Sequence, residues 1–168
     1  LCALAINLGC TFVARSFSGS KKQLKALLKA AMSHKGFALI DVISPCVTFN
    51  NNDESYKSFR YVKNNDTELH TLDYIPHFNP IEEVEVPSGG YKDVQLHDGS
   101  YIRLETISQE HDVSDRVMAL EAIHKADVKE KHVTGLLYFE EGMETLDETE
   151  NLVDTPLANL PDEMMRPD

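Results

Sequence analysis

The stretch TFVARSFSGSKKQLKALLKAAMSHKGFALIDVI, residues 11–43, decides the fold class. Thr11 to Arg15 is β-branched and aromatic, which suits a short strand, and Phe37 to Ile43 is an almost unbroken apolar run. Such a run marks a strand buried on both faces, as in a parallel sheet covered by helices. Between them, Ser16 to Ser20 with Gly19 supplies a turn, and a helix follows. Ser20 and Gln23 stand at capping-box spacing, each able to satisfy a free backbone N–H at the helix start. Leu24, Leu27, Leu28 and Ala31 recur at helical spacing for the buried stripe, leaving Lys21, Lys22, Lys25 and Lys29 on the wet side. His34, Lys35 and Gly36 close the helix, with positive charge at the negative dipole end and a glycine free to take positive φ. Strand, helix and strand within about 30 residues form a βαβ unit. A right-handed crossover places both strand carboxyl ends on one edge, where open α/β sheets bind ligands. Arg15 to Gly19 and Ser44-Pro45-Cys46 therefore border any site. Two parallel strands do not make a stable sheet, so further strands are expected upstream or in a partner.

The 168 residues carry 16 basic and 28 acidic side chains, a net charge of −12, which excludes a generic binder of nucleic acid or anionic lipid. The charge is uneven: residues 1–46 sum to +5, 47–139 to −8 and 140–168 to −9. The acidic end, with Pro156, Pro161 and Pro167, is expected to stay solvated or to lie across a partner. Leu1 to Ala14 is uncharged, but Asn7 and Gly9 interrupt it and no basic start precedes it. It reads as the interior helix of a larger protein rather than a signal or a membrane span. Cys2, Cys10 and Cys46 cannot form an even disulfide framework, which points to a reducing compartment, the cytoplasm.

Beyond Cys46, residues 50–66 are rich in Asn and Asp, with Tyr56, Phe59 and Tyr61 as anchors of a surface excursion. Residues 94–103 read as a hairpin with a His97-Asp98-Gly99 loop, facing Val94 with Ile102 and setting Asp93 beside Arg103. Ser114 caps a helix through about Lys125, with Val113 and Met118 as a hydrophobic staple. His132 to Phe139 is a last strand.

The seven His show no metal-ligand spacing, the glycines (including Ser88-Gly89-Gly90) form no phosphate-binding motif, and carboxylate pairs such as Glu82 with Glu83 or Glu140 with Glu141 read as exposed. Cys46 stands apart because it follows a strand and Pro45 at the ligand edge. The residues alone leave it open between a half-buried structural thiol and a reactive or ligating one. Cys2 and Cys10 read as small buried side chains.

Residues 9–15 (GCTFVAR) and 34–50 (HKGFALIDVISPCVTFN) closely resemble the C-terminal half of the beta subunit of 2-oxoacid:ferredoxin oxidoreductases. Residues 111–116 (HDVSDR) and 132–138 (HVTGLLY) resemble that subunit's C-terminal extension, so the resemblance spans nearly the whole chain, most specifically at SPCVTFN. It implies an α/β fold: residues 1–49 close the parallel sheet of a thiamine-diphosphate-binding domain, 50–139 form a mixed α+β extension, and 140–168 form an acidic tail. It further implies oxidative decarboxylation of a 2-oxoacid with coenzyme A, 2-oxoglutarate favoured over pyruvate, giving acyl-CoA and CO2. Electrons would pass through a [4Fe-4S] cluster to ferredoxin. By the resemblance Cys46 is the last of four cluster ligands, Thr48 and Asn50 border the thiamine diphosphate and its Mg2+, and an alpha subunit is the partner. The other three cluster cysteines and the GDG...N diphosphate motif do not occur in these residues, so the segment alone is expected to be inert. A different expectation is a non-catalytic interaction module that kept the fold and docks through its acidic end.

Overall fold

A computed structural model describes residues 1–78, 91–96, 98–106, 111–152, 155–159 and 161. The elements are α1 (Cys2–Asn7), β1 (Phe12–Phe17), α2 (Lys21–Met32), β2 (Ala38–Ile43), α3 (Phe59–Asn65), β3 (Asp66–Glu68), β4 (His70–Ile75), β5 (Tyr91–Gln95), β6 (Tyr101–Thr106), α4 (Arg116–Val128), β7 (His132–Phe139) and α5 (Leu146–Thr149). One sheet has the order β2-β1-β7-β3 and a second the order β4-β6-β5. This is the mixed α/β architecture expected, with β1 and β2 parallel in the register Phe12 to Ala38 through Phe17 to Ile43.

The strand beside β1 is β7, and it runs antiparallel, with a register shift between Val13 and Ala14. The neighbour expected from upstream or from a partner is thus supplied from the chain's own later residues. Strand β2 corrects a second expectation. Its apolar run is half-buried, not sealed on both faces, because β2 ends the sheet order among the described residues. The doubly covered strands are β1 and β7, which sit inside the sheet.

Strand alternation sends side chains to two cores. Phe12, Ala14, Leu136 and Phe139 meet Leu27 and Ala30 of α2, and Leu72, Ile102 and Leu104 of the second sheet pack into the same cluster. On the opposite face Val13, Val133 and Leu137 meet Ile6 of α1 and Ile123 of α4. Each large side chain fully buried here contributes about 1.5–3 kcal/mol.

Helix α2 turns a different stripe inward than its leucine spacing suggests: Gln23, Ala26, Leu27 and Ala30 are buried, whereas Leu28 is exposed. The Ser20 side chain makes no cap hydrogen bond. Gln23 is drawn instead into a polar cluster, accepting from Ser16 Oγ at 2.7 Å and donating to Glu68 at 2.9 Å and Thr134 at 3.2 Å. A buried amide needs partners for both its ends, and the strand residues offer more of them than a cap would. Past the helix C-cap, His34 pairs with Thr11 Oγ1 at 2.8 Å and packs between Phe12 and Phe139, while Gly36 takes the expected positive φ of 125°.

The hairpin holds as read: Val94 faces Ile102, and Arg103 donates to both Asp93 oxygens at 2.9 and 2.8 Å. His97, Glu82, Glu83 and Ser88-Gly89-Gly90 lie outside the described residues. Helix α4 starts one residue later than expected. Asp115, not Ser114, is its N-cap, accepting from Val117 and Met118 N–H. The staple therefore fails, with Val113 buried and Met118 exposed. In the excursion Phe59 anchors through its ring on Phe17 at 5.2 Å and Tyr61 by donating to the Glu130 carbonyl at 2.8 Å, whereas Tyr56 is largely exposed and the sealed side chain is Val62. In the acidic tail, Thr145 and Glu148 form a capping box, and Lys35 reaches Glu148 at 2.7 Å.

Candidate functional site

Parallel register fixes the site's frame. With Phe17 opposite Ile43, the Ser18 N–H bonds the Ile43 carbonyl at 3.0 Å, and both chains leave the sheet at the same carboxyl edge. Ser44 and Pro45 lead to Cys46, whose carbonyl accepts from the Asn50 N–H at 2.8 Å and so closes a tight turn. Cys46 is exposed. Backbone N–H groups of Phe49 and Thr48 stabilise its sulfur, and the Thr48 hydroxyl adds to them, holding the thiol below its ordinary range.

The other cysteines occupy the opposite regime. Burial, partly opposed by the Arg15 guanidinium, pushes the Cys2 thiol up to about 11. Cys2 donates weakly to Asp41 Oδ2 at 3.7 Å. Cys10 is raised by burial too, and donates to the Phe12 and Phe37 carbonyls at 3.3 and 3.1 Å. One thiol is therefore exposed and lowered, and two are buried and raised.

Beside the Cys46 turn a cavity of about 480 Å3 opens on the face carrying α1 and α4. Asn50 lines it with Arg15, Asp41, Ser44, Lys57 and His132; Cys46 and Thr48 do not. Arg15 and Asp41, partners in register, form an ion pair of 2.9 Å at its wall. Within the turn the Asn50 N–H bonds the Cys46 carbonyl at 2.8 Å, and of the three residues only Asn50 lines the cavity.

Two constellations escaped the sequence reading. Gln23, Ser16, Thr134, Asp66 and Glu68 form the polar cluster between α2 and the sheet, in which Thr134 donates to both Asp66 oxygens at 2.9 and 3.1 Å. Burial raises the Asp66 carboxyl against that hydrogen bond. The helical spacing of 23, 26, 27 and 30 was the available signal. The second is the pair His70 and His111, with ring centroids 5.5 Å apart and His70 wholly buried. It joins β4 to the segment before α4, and no local motif announces it.

No family model matches the sequence. Over 81 residues the chain is 44% identical to a 2-oxoacid:ferredoxin oxidoreductase subunit beta of Sulfolobus sp, covering 47% of this chain and 24% of that protein. Over 61 residues it is 54% identical to subunit beta of 2-oxoacid:ferredoxin oxidoreductase 1 of Aeropyrum pernix, covering 35% and 19%. The chain spans about a quarter or less of the length of these curated relatives. Its fold matches a 2-oxoglutarate:ferredoxin oxidoreductase from Magnetococcus marinus, solved with 2-oxoglutarate, coenzyme A and succinyl-CoA bound. That match has a TM-score of 0.55 at 20% identity, and covers 99% of this chain and 44% of that one.

Proposed function

We propose that this chain is the closing segment of the beta subunit of a 2-oxoacid:ferredoxin oxidoreductase, and that Cys46 is its ligand to a [4Fe-4S] cluster. The observation that carries the reading is the exposed thiol of Cys46 just past the carboxyl edge of the parallel pair, on a chain 44% identical over 81 residues to such a subunit. Cluster ligands are thiolates, and hydrogen bonds to the sulfur tune the reduction potential. The donors around Cys46 are of that kind.

As a single ligand Cys46 fits the cluster. A full set does not arise here, because Cys2 and Cys10 are buried against carbonyls and no three ligating side chains converge among the described residues. In this reading the remaining ligands and the diphosphate motif belong to other parts of the subunit. Bound thiamine diphosphate with Mg2+ would supply the carbanion chemistry at the keto carbon. This chain's part is positional. The Cys46 turn fixes a sulfur at the edge, Thr48 supports that sulfur, and Asn50 presents an amide to the adjoining cavity toward the cofactor. The Arg15 to Asp41 pair stiffens the wall opposite.

In the same reading residues 1–49 complete the cofactor domain, 50–139 are the subunit's extension and 140–168 its acidic tail. The partners are an alpha subunit and ferredoxin, in the cytoplasm. The segment alone is inert. The substrate to test first is 2-oxoglutarate with coenzyme A, both held by the solved protein of this fold. The test is anaerobic expression of the full-length gene product with its alpha subunit, followed by assay of coenzyme-A-dependent viologen reduction with 2-oxoglutarate or pyruvate. Reduction with 2-oxoglutarate, and a lower rate with pyruvate, is expected. No reduction with either acid would overturn the proposal.

A further inference from the structure

We infer that Asn51, Phe59 and Gly19 are positioning residues for the Cys46 sulfur, because together they pin both ends of the loop 44–50 at the end of β1. The inference rests on the reading of Cys46 as a cluster ligand, and adds what holds that ligand in place.

The loop leaves β2 at Ile43, whose carbonyl accepts the Ser18 N–H at 3.0 Å. It ends at Asn51, whose side-chain Oδ1 accepts the Phe59 N–H at 3.1 Å. Ser18 follows Phe17, and the Phe59 ring lies on the Phe17 ring with centroids 5.2 Å apart, so the two ends meet at one corner. Between them the Asn50 N–H closes on the Cys46 carbonyl at 2.8 Å. Pro45, with its φ fixed, removes further freedom on the approach to the sulfur. Within this chain no side chain from Cys46 to Asn50 is buried, so these hydrogen bonds set the shape of the loop. A loop closed at both ends has few conformations, and a ligand on it is ordered before it meets its metal.

The corner stands on a fixed base. Phe17 is buried at the end of β1. Helix α3, which begins at Phe59, is capped by Ser58, sealed by Val62 and tied to the Glu130 carbonyl by the Tyr61 hydroxyl at 2.8 Å. Asn51 therefore bonds a backbone group that does not follow the loop. Gly19 completes the corner: a Cβ there would stand 2.8 Å from the Phe59 ring and closer still to that of Phe17. Its φ is not among the positive ones, so the demand for glycine is one of space. Gly19 is thus more than a turn residue, since it leaves the room in which Phe59 seats. All these contacts lie inside the chain, so they hold whatever the rest of the subunit lays over the loop.

The test uses the full-length protein with its alpha subunit, purified anaerobically, as wild type, Asn51→Ala, Asn51→Asp and Gly19→Ala. Gln23→Ala is the control, because it removes buried hydrogen bonds away from the loop. Ferricyanide takes one electron from the [4Fe-4S]2+ cluster, which then releases Fe2+ and leaves [3Fe-4S]+, read by electron paramagnetic resonance. A poorly held fourth thiolate speeds that loss. Conversion about tenfold faster is expected in Asn51→Ala and Gly19→Ala, the low end of what partners behind a metal ligand contribute. Wild-type conversion is expected in Gln23→Ala and in Asn51→Asp, which keeps the acceptor. The second readout needs no cluster: amide exchange across residues 44–51 of the cluster-free protein should rise about fivefold in Asn51→Ala, the weight of one hydrogen bond. Should Gly19→Ala fail to fold, the Asn51 variants carry the test. Wild-type conversion in Asn51→Ala, or conversion raised as much in Asn51→Asp or Gln23→Ala, would overturn the positioning role alone. A Cys46→Ala protein that keeps its cluster would instead remove the ligand reading, and this inference with it.

Discussion

Arg15 and Asp41, opposite each other across the parallel pair β1 and β2, close a 2.9 Å ion pair at the wall of the cavity beside Cys46. Their side chains are only 13% and 26% exposed, so neither charge has bulk water as a full substitute partner. Replacing Asp41 by Ala takes the carboxylate from a largely buried guanidinium at the cavity wall. The expected loss is roughly 1–3 kcal/mol, less than for a fully buried pair. Urea unfolding of Asp41→Ala measures it, and a change below about 0.5 kcal/mol would class the pair with exposed ones.

The buried imidazoles predict an acid-sensitive fold. His70 is held down to about 4, first by burial and then by neighbouring His111, which is itself lowered by burial. His111 bonds the Leu137 carbonyl at 3.0 Å and Asp112 and Asp115 oppose its shift; the Leu136 backbone opposes that of His70, whose ring nitrogens find no partner at full hydrogen-bond geometry among the described residues. The unfolded chain therefore binds more protons than the native one between pH 6.5 and about 4, and stability falls as pH falls through that window. The expected loss from His70 is on the order of 3 kcal/mol. His70→Leu should flatten the pH dependence of the urea midpoint; an equal slope in the variant would place the acid sensitivity elsewhere.

Gln23 and Ser20 exchange the importance their spacing suggests. Gln23→Ala leaves Ser16 and Thr134 short of a buried partner, and should cost roughly 1–3 kcal/mol. Ser20→Ala removes no side-chain hydrogen bond of the helix start, and should cost under about 0.5 kcal/mol. Thermal unfolding of the two variants separates them.

Thiol chemistry should rank the cysteines. With its thiol lowered and exposed, Cys46 of the cluster-free chain is expected to react first with iodoacetamide near pH 7.5, while Cys2 and Cys10, raised and buried, resist. Peptide mass spectrometry after brief labelling reads the order directly. Equal labelling of all three would contradict the burial described.

The βαβ unit, the hairpin pairing of Asp93 with Arg103 and the strand at His132 to Phe139 were legible because each rests on local periodicity or turn chemistry. The failures share one cause, the dependence of a side chain's role on distant partners. Gln23 reads as a cap until Glu68 and Thr134 arrive from elsewhere in the chain. Strand β2 reads as an interior strand, yet it ends the sheet because β7 takes the inner place beside β1. Cys46 stands out as a candidate through its place after a strand and through family likeness, and the structure adds that its thiol is exposed. The N–H groups that support its sulfur depend on a turn that no pattern in residues 46–50 specifies.

The most direct test of the account is the iron and acid-labile sulfide content of the full-length protein, purified anaerobically, as wild type, Cys46→Ala and Cys10→Ala. A wild type carrying about four irons per cluster, kept in Cys10→Ala and lost in Cys46→Ala together with the broad iron–sulfur absorption, is the predicted result. A Cys46→Ala protein with undiminished iron, sulfide and absorption would contradict it.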